Sequence, residues 1–327
     1  MRQKASIFLL MLLIFSCNCD TTTTPQKKNK KVKKIEKIKI NTPSLIILGT
    51  IQDAGSPHIG CKKKCCDSLF NRGNSNRTVV SLGIADPESK KTFLIEATPD
   101  IASQMKFLLK SIEQEDKKTP DGILLTHAHI GHYAGLMYLG KEAMNAKNAV
   151  VYAMPRMKIF LEENGPWSQL VKNKNILIKE LHDQKKVKLT KNISIIPIVV
   201  PHRDEYSETV GYKIIGPFKK CLFIPDIDKW SKWNKSIIKE IKNVDYAFLD
   251  ATFYSGKEIN NRNIKEIPHP FIIESMALFK DLPLKEKNKI HFIHFNHTNP
   301  VLNNSNERKE VEKKGFKIAQ QNDVIKL

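Results

Sequence analysis

Three histidines fall within six residues of this chain, in the segment Thr126-His-Ala-His-Ile-Gly-His132, directly behind the apolar run Gly122-Ile-Leu-Leu-Thr126. That run reads as a short buried strand, so the histidines stand where the chain leaves a sheet. Three imidazoles crowded at a strand end would pack poorly in a core. Neutral imidazole is, by contrast, a good ligand for a borderline-soft cation such as zinc, and this spacing brings several rings together. The segment predicts a metal centre.

The remaining chain supplies a scaffold for it. Ser44-Leu-Ile-Ile-Leu-Gly-Thr50 reads as a buried first strand ending in a turn rich in Gly and Asp, with a strand pair over 78–85 and 92–97 turning at Asp86-Pro87. Ile101, Met105, Leu108 and Leu109 mark one face of a helix over 100–112, and 133–144 reads as a second helix behind the histidines. A strand at 149–153 and a proline-opened helix at 155–163 follow, then strands at 193–200, 208–215, 220–225 and 245–250. The last third gives a helix at 270–280, a strand at 290–295 and a helix near 306–314. Two similar halves of alternating strand and helix predict an α/β chain, with two mixed sheets packed as a sandwich and helices outside.

Before Ser44 the sequence changes character. Arg2 and Lys4 precede the apolar stretch Ile7 to Phe15, whose helix would span about 14 Å against a bilayer core of about 30 Å. This is the pattern of an export signal and not of a membrane-spanning helix. Ile14-Phe-Ser-Cys17 resembles a bacterial lipobox. The chain then divides into a lipoprotein signal peptide over 1–16, a lysine-rich tether over 17–43 opened by lipidated Cys17, and a domain over 44–327. Ordinary secretory cleavage near Cys19, or an uncleaved anchor, are the alternatives. Of the formal net charge of +20, a large share comes from Lys27, Lys28, Lys30, Lys31, Lys33, Lys34, Lys37 and Lys39, opposed only by Glu36. A tether lying on an anionic lipid surface accounts for that run without nucleic acid. The expectation is an exported, membrane-anchored lipoprotein, facing the periplasm or the cell surface, with no nucleic-acid partner.

The histidine segment resembles the His-x-His-x-Asp-His signature of the metallo-β-lactamase superfamily, and later elements come in that family's order. Val199-Val-Pro-His202 ends a strand with a histidine, Leu222-Phe-Ile-Pro-Asp226 ends one with a carboxylate, and Phe292-Ile-His294 ends a third. The resemblance covers about residues 44 to 302 and implies the family's αβ/βα four-layer sandwich. It also implies a ligand set, in which His127, His129 and His202 hold a first metal, His132 and His294 a second, and Asp226 lies between them. Gly131 departs from the signature, standing where the family has Asp. A one-metal centre, a weaker second site, or a second site completed by Asp204 or Asp53 all remain open.

Cys61-Lys-Lys-Lys-Cys65-Cys66 lies behind the first strand. A disulfide from Cys61 to either neighbour is one reading, since export permits it. The other is a structural zinc held by three thiolates and one imidazole, with His297 as fourth ligand and His58 as its competitor. Two branches of the superfamily are similar here, because each carries a cysteine-rich first loop that holds a structural zinc. They are the cyclic phosphodiesterase of phosphonate breakdown and the pyrroloquinoline quinone biosynthesis protein B family. In this chain the middle cysteine has moved next to the last. The second branch resembles it more closely, through Asp250-Ala-Thr-Phe253, Asn296-His-Thr-Asn-Pro300 and Gln52-Asp-Ala-Gly55. Cys221, on an apolar strand, reads as a buried thiol.

The resemblance implies a metal-dependent hydrolase acting on a small-molecule substrate. Zinc lowers the pKa of bound water to about 7 and so supplies hydroxide at neutral pH, with Asp226 to accept the water's proton. His269, in Ile267-Pro-His-Pro270, falls where nuclease and phosphodiesterase branches keep a leaving-group histidine; a helix-capping or surface role is the alternative. Arg203 is placed either to meet an anionic substrate or to form an ordinary surface ion pair. A phosphodiester or related ester is expected ahead of a β-lactam, because Gly131 and the cysteine loop both point to another branch. Two rivals stand beside this. One is metal-dependent oxidation after the quinone-cofactor branch, which iron or copper would suit; iron or manganese is also an alternative to zinc in the active site. The other is a binding lipoprotein without catalysis. His182, His291 and the tryptophans Trp167, Trp230 and Trp233 read as structural.

Overall fold

The computed structural model describes residues 39–70, 77–259 and 263–327. The expected signal peptide, Cys17 and all but the end of the expected tether lie outside them. In chain order the strands are β1 (Ser44–Gly49), β2 (Ser81–Asp86), β3 (Lys91–Ile95), β4 (Gly122–Leu124), β5 (Ala149–Ala153), β6 (Ile176–Glu180) and β7 (Val187–Lys188). They continue as β8 (Ser194–Val199), β9 (Val210–Ile215), β10 (Lys220–Ile224), β11 (Tyr246–Asp250), β12 (Ile290–Ile293), β13 (Lys317–Ile318) and β14 (Val324–Lys326). Two mixed seven-stranded sheets result, ordered β14-β1-β2-β3-β4-β5-β6 and β13-β12-β11-β10-β9-β8-β7.

Alternation along the strands builds four layers. Side chains of a strand point to opposite faces in turn. Leu45 and Ile47 of β1, Phe93 and Ile95 of β3, and Leu124 of β4 therefore meet Phe223, Phe248 and Ile293 between the sheets. Ile46, Leu48, Leu94 and Ile123 point the other way, beneath the helix Ile101–Ser111. Leu222, Leu249 and Phe292 pack against the helices Ile237–Lys242 and Ile272–Leu278 on the far side. Strands buried on both faces read as unbroken apolar runs, as β1 and β10 do. The sandwich expected from the sequence is the one observed.

The details differ in places. Residues 133–144 do not form one helix. A single turn, Ile130–Tyr133, passes into a 3-10 segment, Ala134–Leu139. A Cβ on Gly135 would lie 2.1 Å from the Thr98 carbonyl oxygen, so the segment packs there backbone on backbone. The folded chain also starts before Ser44. Ile40 is buried with the first helix layer, and its N–H donates to the Ser111 carbonyl. β6, β7, β13 and β14 escape the sequence reading because they are short or sit toward sheet edges, without an alternating pattern to mark them.

Strands β4, β8, β10, β11 and β12 all deliver their C-terminal ends to one edge of the sandwich. The Val210 N–H donates to the Thr126 carbonyl, and the Tyr212 hydroxyl to the Leu125 carbonyl, which ties β9 of the second sheet to the chain leaving β4 of the first. The histidine segment therefore opens at the seam between the two sheets.

Candidate metal centre

At that seam the predicted residues converge on one carboxylate. Asp226 follows β10, and its Oδ2 lies 3.3 Å from His127 Nε2, 3.2 Å from His202 Nε2, and 3.9 Å from both His129 Nδ1 and His132 Nε2. Its Oδ1 lies 3.1 Å from His269 Nδ1. The donor atoms of His127, His129, His202 and Asp226 lie within 4.8 Å of one another, as do those of Asp226, Asp250, His269 and His294. His132 groups instead with His294 and Asp53. Burial alone would raise the Asp226 carboxyl, but the rings of His202, His269 and His294 reverse this and hold it well below the usual carboxylate range.

Two threonines fix the rings; the sequence reading gives neither them nor their carboxylate partners a role, although it notes Asp250 and Thr252 within a resembling segment. The Thr126 hydroxyl lies 2.5 Å from Glu96 Oε1 and 2.9 Å from His127 Nδ1. A carboxylate only accepts, so the hydroxyl donates to Glu96 and accepts from the ring N–H, which leaves the His127 Nε2 lone pair facing the cluster. The second half repeats the device. The Thr252 hydroxyl donates to Asp250 Oδ1 at 2.7 Å and accepts from the His294 Nδ1–H at 2.8 Å. Glu96 and His294 both adopt left-handed backbone, φ 79° and 69°. Non-glycine residues hold that conformation only where their surroundings enforce it. Burial disfavours charge on His132 and His269, yet the carboxylates of Glu96, Asp53 and Asp226 lift His132 to about 9, and Asp250 with Asp226 lift His269 to about 10. His127 goes the other way, held well below the usual imidazole range by burial and by the neighbouring His132.

Of the two acidic residues that could stand in for the signature's missing carboxylate, Asp204 is engaged elsewhere, accepting from the Thr209 hydroxyl at 2.9 Å. Asp53 lies against Gly131. Arg203 lines a cavity beside the cluster.

The cysteines form a separate group on the loop behind β1. Cys65 and Cys66 lie on the short helix Lys64–Phe70, and the thiols of Cys61, Cys65 and Cys66 meet His297 within 4.8 Å. None is disulfide-bonded. The Cys61 and Cys65 sulfurs are 3.7 Å apart, and those of Cys65 and Cys66 are 4.0 Å apart. A disulfide would require about 2.05 Å. Metal–sulfur bonds of about 2.3 Å in a tetrahedron put neighbouring sulfurs about 3.8 Å apart, which fits. His58 is not the fourth member. Its Nδ1 accepts from the Gly60 N–H at 3.1 Å, and its ring stacks on His297. Burial, with His58 and Lys63 nearby, lowers His297 to about 4, so its imidazole is neutral and able to ligate at ordinary pH.

The other singled-out residues lie apart from the cluster, and His182 is exposed. His291 sits among Tyr246 and Phe248, His182 near Glu180, and Trp167 against Tyr133 and Phe160. Trp230 and Trp233 donate to Ser275 and the Val199 carbonyl, and Cys221 is buried.

Residues 91–295, more than half of the chain, match the beta-lactamase superfamily domain. The chain belongs to that superfamily. Its metallo-β-lactamase sandwich is similar throughout to coenzyme PQQ synthesis protein B. The Methylorubrum extorquens (strain PA1) protein is 24% identical over 303 residues, covering 84% of this chain and 97% of that one. The Rhizobium meliloti protein is also 24% identical, covering 86% and 97%. Among solved structures, zinc-bound PqqB from Methylobacterium extorquens has a TM-score of 0.71 at 22% identity, covering 87% of this chain and all of that one. A diphosphatase of the PhnP family has a TM-score of 0.60 at 21% identity, covering 87% and 98%. Both likenesses belong to the fold. Both also fall in the two branches that the cysteine loop singles out.

Proposed function

We propose that this protein is a zinc-dependent hydrolase of a small anionic ester, a phosphodiester first, exported and held at a membrane by lipidated Cys17. The observation that carries the hydrolase reading is the meeting of His127, His129, His202 and Asp226 with donor atoms aimed at one another. Buried nitrogens of His129, His132, His202 and His294 have no hydrogen-bond partner among the described residues. Native proteins rarely leave such atoms unsatisfied, and a bound cation satisfies them. Zinc, when bound, acts as a Lewis acid and brings the pKa of water to about 7.

The chain's own residues supply the remainder. A cavity of about 450 Å³ adjoins the cluster, lined by Arg203, Lys232, Phe253, Lys265 and His269. Lys232 is neutralised by Asp228 at 2.7 Å, while Arg203 and Lys265 make no ion pair among the described residues. They would orient an anionic group by charge, and Arg203 by its paired donors. His269 engages Asp226 and Asp250 through Nδ1, at 3.1 and 2.9 Å. Nε2 is the nitrogen left to pass a proton to the leaving oxygen. A slightly larger cavity of about 480 Å³, lined by Trp230, Ile237 and Ile238, holds none of the cluster histidines.

A second reading, metal-dependent oxidation, is favoured by the near full-length similarity to coenzyme PQQ synthesis protein B. Purified protein loaded with zinc, then with iron, separates the two. The hydrolase reading expects zinc-dependent turnover of bis-p-nitrophenyl phosphate, with Arg203→Glu and Lys265→Glu each raising KM about tenfold, the equivalent of about 1.4 kcal/mol. Oxygen uptake with iron, and no ester turnover, would replace it with oxidation. Cell fractionation checks the anchor. Cys17→Ser should move the protein from membranes to the soluble fraction, and a wild-type protein already soluble would remove that part of the proposal.

A further inference from the structure

We infer that Asp53, carried on the loop behind β1, supplies the carboxylate of a second metal position together with His132 and His294, replacing the side chain that the family signature places at residue 131. The inference rests on the metal-centre reading above. Its first support is steric. A Cβ at Gly131 would lie 1.9 Å from Asp53 Cβ, 2.4 Å from Asp53 Cα and 2.9 Å from its carbonyl oxygen. No residue with a side chain fits there while the loop stands where it does. Gly131 is therefore the space that admits Asp53, and the carboxylate has moved from one segment to another.

The second support is donor geometry. One carboxylate oxygen of Asp53 and one nitrogen each of His132 and His294 lie within 4.8 Å of one another. Both rings are fully buried, and Nε2 of each has no hydrogen-bond partner among the described residues. Behind them, His294 Nδ1 is hydrogen-bonded, whereas His132 Nδ1 makes no hydrogen bond among the described residues and has an ion-pair contact alone. His294 Nδ1 meets the Thr252 hydroxyl, and His132 Nδ1 lies 3.3 Å from Glu96 Oε1. These contacts lie on the Nδ1 side of each ring and leave Nε2 free to ligate, the arrangement that orienting partners give a metal-binding histidine.

The loop's position is set by its backbone. Ile51 bridges to both Val79 and Phe295. The Gln52 N–H donates to the Phe295 carbonyl at 2.9 Å, and the Phe295 N–H donates to Thr50 at 2.8 Å. Phe295 directly follows His294, so these bonds fix Asp53 relative to that ring. Downstream, the cysteine group meets His297 and closes the same loop onto the same segment. The two metal-binding groups thus share one connection, and the cysteine clip is a support for Asp53.

Zinc content of the full-length protein, measured after equilibration with Zn2+ and removal of loose metal, tests this. The wild type is expected to hold three equivalents per chain: one in the clip, one with His127, His129 and His202, and one with Asp53. Asp53→Asn keeps the shape and removes the charge. It should lose one equivalent, or bind it at least tenfold more weakly by calorimetry, with an unchanged circular dichroism spectrum. Gly131→Ala replaces no ligand yet should lose the same equivalent by pushing Asp53 aside. If that variant fails to fold, Asp53→Asn alone decides. An Asp53→Asn protein that binds as many zinc ions as the wild type, with the same affinities, overturns the inference. So does a wild type that holds only two. A wild type holding clip zinc alone sinks the underlying metal-centre reading as well, so the two failures are distinguishable.

Discussion

His202→Ala is expected to cut metal-dependent turnover by more than about 100-fold while leaving the fold and the clip metal in place. The size follows from what the residue does. Losing an outer-shell partner of a metal ligand costs about 10–100-fold in affinity or activity, and a direct ligand should exceed that. His202 arrives from β8, far along the chain from His127, yet its Nε2 lies 3.2 Å from Asp226 Oδ2. Neither of its ring nitrogens has a hydrogen-bond partner among the described residues. Deleting the ring breaks no hydrogen bond among the described residues, and in the metal-loaded protein the cation still balances Asp226, so stability there should move by a cavity term of about 1–3 kcal/mol. A large loss of turnover beside a small change in the unfolding midpoint is the signature to look for. Turnover within about threefold of wild type would mean that His202 holds no reacting metal.

Cys66→Ala should produce the opposite pattern, with stability falling first and furthest. Cys66 is fully buried; its sulfur lies 4.0 Å from that of Cys65 and accepts the His58 N–H at 3.3 Å. Removing it leaves two thiols and one imidazole, short of the four ligands that a structural zinc takes. A clip joining residues 61–66 to 297 closes a long stretch of chain. Crosslinks of that kind contribute about 3–5 kcal/mol, and zinc binding is coupled to folding in the same way. One zinc equivalent should disappear and the melting temperature should fall by roughly 6–12 °C. Because Asp53 rides on the same loop, loosening at the second active-site position should follow. An unchanged melting temperature with full zinc content would show that the thiols hold nothing.

Much of this site can be read from the sequence because these candidate ligands end apolar runs. His127, His202, Asp226 and His294 follow β4, β8, β10 and β12, and parallel strands bring their C-terminal ends to one edge. The supporting residues leave no such mark. Glu96 looks like the polar boundary of a strand, and Thr126 and Thr252 look like ordinary strand-end residues. Their role is a hydrogen bond to a carboxylate or ring that only the folded chain brings near. Asp53 and Asp204 are equal candidates on paper, separated only by where the loop behind β1 settles. His297 over His58 is a choice of the same kind, made by the Gly60 N–H and by stacking. The misread helix at 133–144 has a local cause. Gly135 meets the backbone of Thr98, and helical pattern in the sequence carries no sign of that contact.

Anomalous diffraction at the zinc edge, from crystals of the metal-loaded protein, examines the whole account in one experiment. The account predicts a peak among His127, His129, His202 and Asp226, a second beside His132, His294 and Asp53, and a third among Cys61, Cys65, Cys66 and His297. Crystals that show the third peak with no density at Asp226 would contradict it, and the buried imidazoles would then need another explanation.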